Sequence, residues 1–161
     1  IADGVTIHRF VRDLDTLLPV DEPAPGQRML VSLVGTAFAD ENLDYVVADL
    51  LPAGYEVEQT GLPASVMIVG GQVGQCPSGK ASLAPAVCTL GDNMGFQQSG
   101  TEYAEARADR VLFGFQTGKG QFAHHYVVRR TQGGLVTQPG AYIEAMYAPD
   151  IRARSAARQL R

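Results

Sequence analysis

The chain lacks any apolar run approaching the roughly 18 residues that a membrane-crossing helix needs. Aliphatic and aromatic residues nevertheless make up 45% of its 161 positions. It is therefore neither disordered nor membrane-spanning, and no direct membrane insertion is expected of this segment. It is also short of positive charge. The formal net charge is −4, which argues against nucleic acid as the main partner. The one basic cluster is the tail, "IRARSAARQLR" (151–161). The n-region and h-region of a secretory leader are missing. The first residue is Ile1, not Met, so we expect a processed chain or a piece of a longer one, with any targeting signal upstream. The length suits one domain, 1–161, able to bury a core of its own.

Catalytic and metal-binding patterns are absent as well. There is no G-x-S-x-G elbow and no H-E-x-x-H. Of the three histidines, His8 stands alone. His124 and His125 are adjacent, so in a strand they face opposite sides and cannot share a metal without distortion. The expectation is one buried or half-buried imidazole and one exposed. "ADENLD" (39–44) has the charge of a weak calcium loop but not the ligand spacing or the glycine of an EF-hand. "DLD" (13–15) reads as turn residues. No cofactor, metal or enzymatic activity is expected; a hydrolase using His124 or His125 is the weakest of the readings considered.

One stretch does imitate a functional motif. "VGGQVGQCPSGKAS" (69–82) follows an apolar run and holds Gly74, four residues, then Gly79-Lys80. A phosphate-binding loop needs a Ser or Thr after the lysine to hold magnesium, and a helix to follow. Here Ala81 follows Lys80, and Pro85 would break a helix just begun. No alternation of strands and helices supplies a parallel sheet. The stretch reads instead as a glycine-rich loop.

Cysteine is scarce: Cys76 and Cys88 are the only two. With no C-x-x-C and no added histidines, zinc is disfavoured. A disulfide closing a surface loop is the preferred reading and two free thiols the alternative. A bond closing a loop of this size contributes roughly 3 kcal/mol on the chain-entropy model. It implies an oxidising compartment, which for a bacterial chain is the periplasm.

What is plentiful is alternation. "VTIHRFV" (5–11) puts Val5, Ile7 and Arg9 on one face and His8 and Phe10 on the other. "RMLVSLVGTA" (28–37), "DYVVADLL" (44–51), "YEVEQ" (55–59), "SVMIV" (65–69), "RVLFGFQ" (110–116), "FAHHYVVRRT" (122–131) and "AYIEAMY" (141–147) also read as strands. The breaks "DEPAPGQ", "LPAG", "TQGG" and "TQPG" are turn-like, and "TGKG" (117–120) predicts a hairpin turn. Only "TEYAEARADR" (101–110) and "APDIRARSAARQL" (148–160) are helical candidates. About eight short strands with frequent turns give an all-β antiparallel sandwich with little helix. Residues 70–100 are expected to form one long excursion from it, closed by the disulfide.

Several phrases then go beyond pattern. "YVVADLLPAGYEVE" (45–58), "EARADRVLFGF" (105–115) and "FAHHYVVRRTQGGLVTQPGAYIEAMYAPDIRARS" (122–155), in this order, resemble the last macroglobulin-like domain of a bacterial α2-macroglobulin. "DLLPAG" and "EAMY" are the specific parts. The likeness spans all but the 70–100 loop, which is longer than the family's usual link. At the motif positions Leu50 and Leu51, after Asp49, close a strand, Pro52 stops its pairing, and Gly54 permits the turn. Asp109-Arg110 reads either as a pair holding the turn before the next strand or as a solvated pair. Pro139-Gly140 turns the chain into "AYIEAMY".

The resemblance implies a non-catalytic domain of a large periplasmic protease trap, its parent in many cases anchored to the inner membrane by a distant N-terminal lipid. A protease cuts a bait region, the molecule rearranges and the protease is caught. One branch links the prey through a thioester made from Cys-x-Glu-Gln. Neither Cys-Pro-Ser-Gly from Cys76 nor Cys-Thr-Leu-Gly from Cys88 fits, so any thioester sits in another domain. The family's C-terminal domain packs against that domain, and the resemblance assigns Glu144, Met146 and Tyr147 to the contact. Met146 and Tyr147 are read as strand neighbours pointing opposite ways, one into the core and one to the partner; both filling this domain's own core is the alternative. Lys80 in the long loop is assigned to a partner surface, either another domain of the parent or a separate periplasmic protein of the same complex. Target proteases are partners through the parent only. A stand-alone adhesin-like or ligand-binding sandwich module is the competing reading.

Overall fold

The computed structural model describes residues 4–69, 72–75, 89–93 and 100–160. The described residues form strands and turns with no helix. The strands are β1 (His8–Asp13), β2 (Arg28–Ala37), β3 (Leu43–Leu50), β4 (Tyr55–Thr60), β5 (Val66–Val69), β6 (Gln72–Gln75), β7 (Thr89–Asn93), β8 (Tyr103–Ala106), β9 (Arg110–Thr117), β10 (Gly120–Arg130), β11 (Val136–Gln138), β12 (Tyr142–Ala145), β13 (Ala148–Arg154) and β14 (Arg158–Leu160). Two antiparallel sheets make the sandwich, ordered β1-β2-β10-β4 and β13-β12-β3-β9-β8. A small pair, β11-β14, and a separate three-stranded sheet, β5-β6-β7, complete it.

The alternation read from the sequence sets the layers. Met29, Val31 and Leu33 of β2 face Tyr45, Val47, Val111, Phe113 and Ile143 of the other sheet in the main core. The opposite face of β2, with Leu30 and Val34, enters a second cluster with Leu14, Leu17, Val66, Ala123 and Val127. The first sheet is thus buried on both sides, and β10 is its doubly covered strand.

Several expectations are corrected. Residues 101–110 and 148–160 are not helical; they hold β8, β13 and β14. Each is short and lies at a sheet edge or in the two-stranded pair, so little apolar periodicity is demanded of it. The excursion after residue 70 is not bare loop, because β6 pairs there with β5 on one side and with β7 on the other. "TGKG" is a tight turn but no hairpin, since β9 and β10 belong to different sheets. Gly118 and Lys119 carry the chain across the sandwich. Phe115 before the turn and Phe122 after it then meet in the core with ring centroids 5.1 Å apart.

One buried charge pair crosses the same interior. Arg9 Nε donates to Asp49 Oδ2 at 3.3 Å, and its Nη2 donates both to Asp49 Oδ1 and to the Pro139 carbonyl, the latter at 2.8 Å. The Tyr126 hydroxyl donates to Asp49 Oδ2 at 2.6 Å. Asp49 is fully buried. Burial, with the carboxylate beside it, holds the Tyr126 phenol well above its ordinary pKa. Near by, Gln138 Nε2 donates to the Leu50 carbonyl and Arg158 Nε donates to Gln138 Oε1.

Removing one partner strands the other charge in the core, which costs about 3–5 kcal/mol. We predict a loss of that size for Arg9→Met in urea denaturation of this chain. Asp109→Ala, which removes an exposed pair, should leave the urea midpoint essentially unchanged. Equal losses from the two variants would contradict the central role of Arg9.

Candidate functional site

The residues singled out in the sequence fall into three places. Asp49, Pro139 and Gly140 lie around the buried pair. Gly140 is glycine because a Cβ there would come within 1.8 Å of the Ser155 carbonyl oxygen. Pro52 is buried just past the end of β3. Gly54 takes φ +82°, and its carbonyl accepts from the Thr131 amide at 2.7 Å, tying the turn to the end of β10. The Arg110 guanidinium grips the Asp109 carboxylate at 3.1 and 3.0 Å. That pair holds Asp109 below the usual carboxylate range and Arg110 above its own, but both side chains are exposed. Cys76, Cys88 and Lys80 lie outside the described residues.

The third place is the tip of the β12-β13 hairpin, and here the expectation is corrected. β12 ends at Ala145, which pairs with Ala148, so Met146 and Tyr147 are the two residues of the turn. Neither fills the core. Met146 is 40% exposed and Tyr147 94%. Tyr147 also takes φ +64°, a left-handed conformation that glycine or asparagine adopts at far lower cost than a bulky residue. The Met146 amide donates to the Asp44 carbonyl at 2.7 Å, anchoring the tip beside β3. Behind it, the Tyr142 hydroxyl donates to Glu144 Oε1 at 2.8 Å and the Arg154 guanidinium lies 4.9 Å from the Tyr142 ring. A fixed hairpin thus presents an uncovered aromatic and a flexible thioether, side chains suited to meeting an apolar partner.

The histidines are placed differently from the sequence reading: both are buried. They do face opposite sides of β10. His124 Nδ1 lies 3.0 Å from Thr101 Oγ1 among Phe113, Phe115 and Phe122. His125 Nδ1 lies 2.9 Å from Ser32 Oγ. The expected exposed imidazole is covered because the second cluster lies over that face. Burial pushes His124 down to about 4. Burial, then the neighbouring His124 and Arg12, push His125 down to about 3. Among the described residues no group of three or more His, Cys, Asp or Glu side chains could hold a metal.

Sequence reasoning missed the structural role of three residues. Arg9 was legible as the one cation on an otherwise apolar strand face. Tyr126 carried no signal beyond its apolar neighbours. Arg130 is buried and donates to the carbonyls of Pro23, Gln132 and Gly134, drawing two loops together; it resembled a strand-end charge.

The described residues thus form an all-β sandwich whose β12-β13 hairpin carries an exposed aromatic tip. The family description "Bacterial Alpha-2-macroglobulin MG10 domain" matches residues 4–150, and the chain belongs to that family. Its fold resembles that of Salmonella α2-macroglobulin reacted with methylamine, at 24% identity and TM-score 0.68 over 99% of this chain and 9% of that one. It likewise resembles native Escherichia coli α2-macroglobulin, at 23% identity and TM-score 0.69 over 100% and 10%. The chain therefore spans about a tenth of those proteins. A looser likeness joins it to BcpA, the major pilin subunit of Bacillus cereus, at 14% identity and TM-score 0.56 over 97% and 40%. No curated protein matches it.

Two predictions follow from this geometry. An unfolded chain takes up protons on His124 and His125 near pH 6.5, whereas the folded chain resists until about pH 4 and 3. Stability should therefore fall as pH drops below 6.5, by roughly 2 kcal/mol per histidine at pH 5. Urea midpoints measured from pH 7 to 5 read it, and His125→Gln should remove about half of the slope. Separately, Tyr147→Gly should stabilise the isolated chain by up to about 1 kcal/mol by relieving the left-handed backbone; a loss in thermal denaturation would show that the ring is held by the domain itself.

Proposed function

We propose that this chain is one domain, 1–161, of a bacterial α2-macroglobulin-type protease inhibitor acting in the periplasm. Its role there is non-catalytic. The hairpin tip, with Met146, Tyr147 and Glu144, packs on another domain of the parent, the thioester-bearing one where the parent has a thioester, and keeps it closed until a protease cuts the parent. Target proteases are met by the parent as a whole. Cys76 and Cys88 form a disulfide, and the loop with Lys80 meets a further partner, in the parent or in a co-complexed periplasmic protein.

The observation that carries this reading is Tyr147, 94% exposed at φ +64°. An aromatic side chain held bare on a costly backbone contributes nothing to its own domain. It makes physical sense where another surface covers it. Met146 adds apolar bulk that adapts to an irregular surface and excludes water, as protecting a reactive ester requires.

The test is made in the full-length parent, whose reading frame should be about ten times as long as this chain, in proportion to the 10% coverage above. Met146→Asp and Tyr147→Gly should each make the resting parent more sensitive to limited proteolysis; in a thioester-bearing parent they should speed the appearance of free thiol. Leu135→Asp, at a site 66% exposed and off the hairpin, serves as control. Equal behaviour of tip and control variants would overturn the docking role. A reading frame no longer than this chain would favour the stand-alone adhesin-like module, to which the likeness to a pilin subunit lends its only support. Non-reducing mass spectrometry should show two hydrogens fewer for the peptides holding Cys76 and Cys88, and free thiols there would remove that argument for the periplasm.

A further inference from the structure

Charge does not balance around Asp49. Along β14 the side chains alternate, so Arg158 shares a face with Leu160, which enters the main core. Arg158 is thereby half-buried. Its Nε donates to Oε1 of the buried Gln138, its partner in register, at 3.1 Å. Its two Nη nitrogens donate to no atom among the described residues, and Arg158 is in no ion pair there. Burial, then the like charge of Arg9, hold its guanidinium below the ordinary range. Asp49 is the one carboxylate among the described residues that acts on it. The Asp49 oxygens accept from Arg9 and from the Tyr126 hydroxyl, and none of these bonds comes from Arg158. Tyr55 lies in the same field. It is 9% exposed, and its hydroxyl is buried with no hydrogen-bond partner. Burial pushes this phenol up in pKa, and the Arg130 and Arg158 charges draw it back.

We propose that Arg158 and Tyr55, with the Arg9 charge adding to the field, form a binding site for a small oxyanion, a carboxylate or a phosphate. Two guanidiniums and one carboxylate leave a positive charge uncompensated in a half-buried place, a costly arrangement unless an anion joins it. Buried tyrosine hydroxyls ordinarily have a partner. The Tyr55 hydroxyl has none and is a donor held ready. The Nη nitrogens of Arg158 are not sealed from solvent, and neither is Nη1 of Arg9, so an ion can reach them. The two Nη groups of a guanidinium match two oxygens of a carboxylate or phosphate, and Tyr55 supplies a further hydrogen bond from the core side. A chain of net charge −4 repels anions in general, so uptake of one would be the work of this site. The inference does not depend on the docking role of the hairpin tip.

NMR of inorganic phosphate and of acetate, each titrated with this chain at constant ionic strength in chloride, tests the site. The phosphorus line, the acetate methyl line or both should broaden saturably, and extra chloride should not reverse it. Binding of one ion and not the other assigns the source of the oxyanion and supports the site either way. Tyr55→Phe deletes only the hydroxyl and should weaken binding about fivefold, the worth of one hydrogen bond. Arg158→Gln should weaken it about thirtyfold, as loss of a charge-assisted pair does. Arg107→Gln, at an exposed arginine on the β8-β9 turn, should leave it unchanged. In anion-free buffer Tyr55→Phe should not lower the thermal midpoint, because it removes a hydroxyl without a partner; its lost binding is then not lost folding. No broadening of either line overturns the proposal. Binding that survives intact in both site variants overturns it as well. So does a loss in Arg107→Gln equal to that in Arg158→Gln, or displacement by chloride, since the ions would then only gather around positive charge.

Discussion

Asp49 is the residue around which the sandwich is organised. A carboxylate without solvent is costly, and the cost is met only by an arginine from β1, a tyrosine from β10 and the geometry of β3 that points it inward. Arg9 also holds the Pro139 carbonyl, so the turn that launches β12 is positioned by the same charge. A purely apolar interior would tolerate a slip of one sheet over the other. A buried guanidinium bound to both Asp49 oxygens does not, because any shift leaves a charge unpaired. The orientation of the β12-β13 hairpin, and with it the direction of Tyr147, follows from that requirement.

β10 carries the second constraint. It is covered on both sides, its neighbours are β2 and β4, and the adjacent histidines are split between two interiors. Burial keeps both imidazoles neutral near pH 7, so their protonation in acid works against the fold. The aromatic contacts of His124 with Phe115 at 4.3 Å and Phe113 at 5.4 Å depend on the arch at Gly118 and Lys119, which folds β9 against β10 across the sandwich.

The strands that alternate over six or more residues were legible, because half-burial writes itself into every second position. The same alternation divides Met29, Val31 and Leu33 of β2 from Leu30 and Val34, the two faces that enter separate clusters. Edge strands were not legible. "YAEA" and "APDIRAR" carry alanine and charge, as an edge that must resist further pairing does, and that composition mimics a helix. The tight turn at "TGKG" was visible, but whether it joins neighbours in one sheet or crosses to the other depends on Phe115 and Phe122 packing at long range. The tip was found by phrase and misjudged by pattern: alternation assigned one of Met146 and Tyr147 to the core, and only the register of Ala145 with Ala148 shows both beyond the end of the strand. Arg9 was the most informative overlooked residue, since a lone cation on an apolar face needs a buried anion somewhere in the chain.

The main core draws on both ends of the sequence. Val5 and Ile7 enter it before β1, and Leu160 of β14 enters it last, all three buried. The β11-β14 pair that seats Leu160 forms only once residue 160 is in place. During synthesis the early strands therefore wait, with edges and apolar faces open, until nearly the whole segment has left the ribosome. Such long-range closure makes for slow folding. The domain then arrives all at once rather than strand by strand, and the period before closure is when it depends most on protection from neighbouring chains.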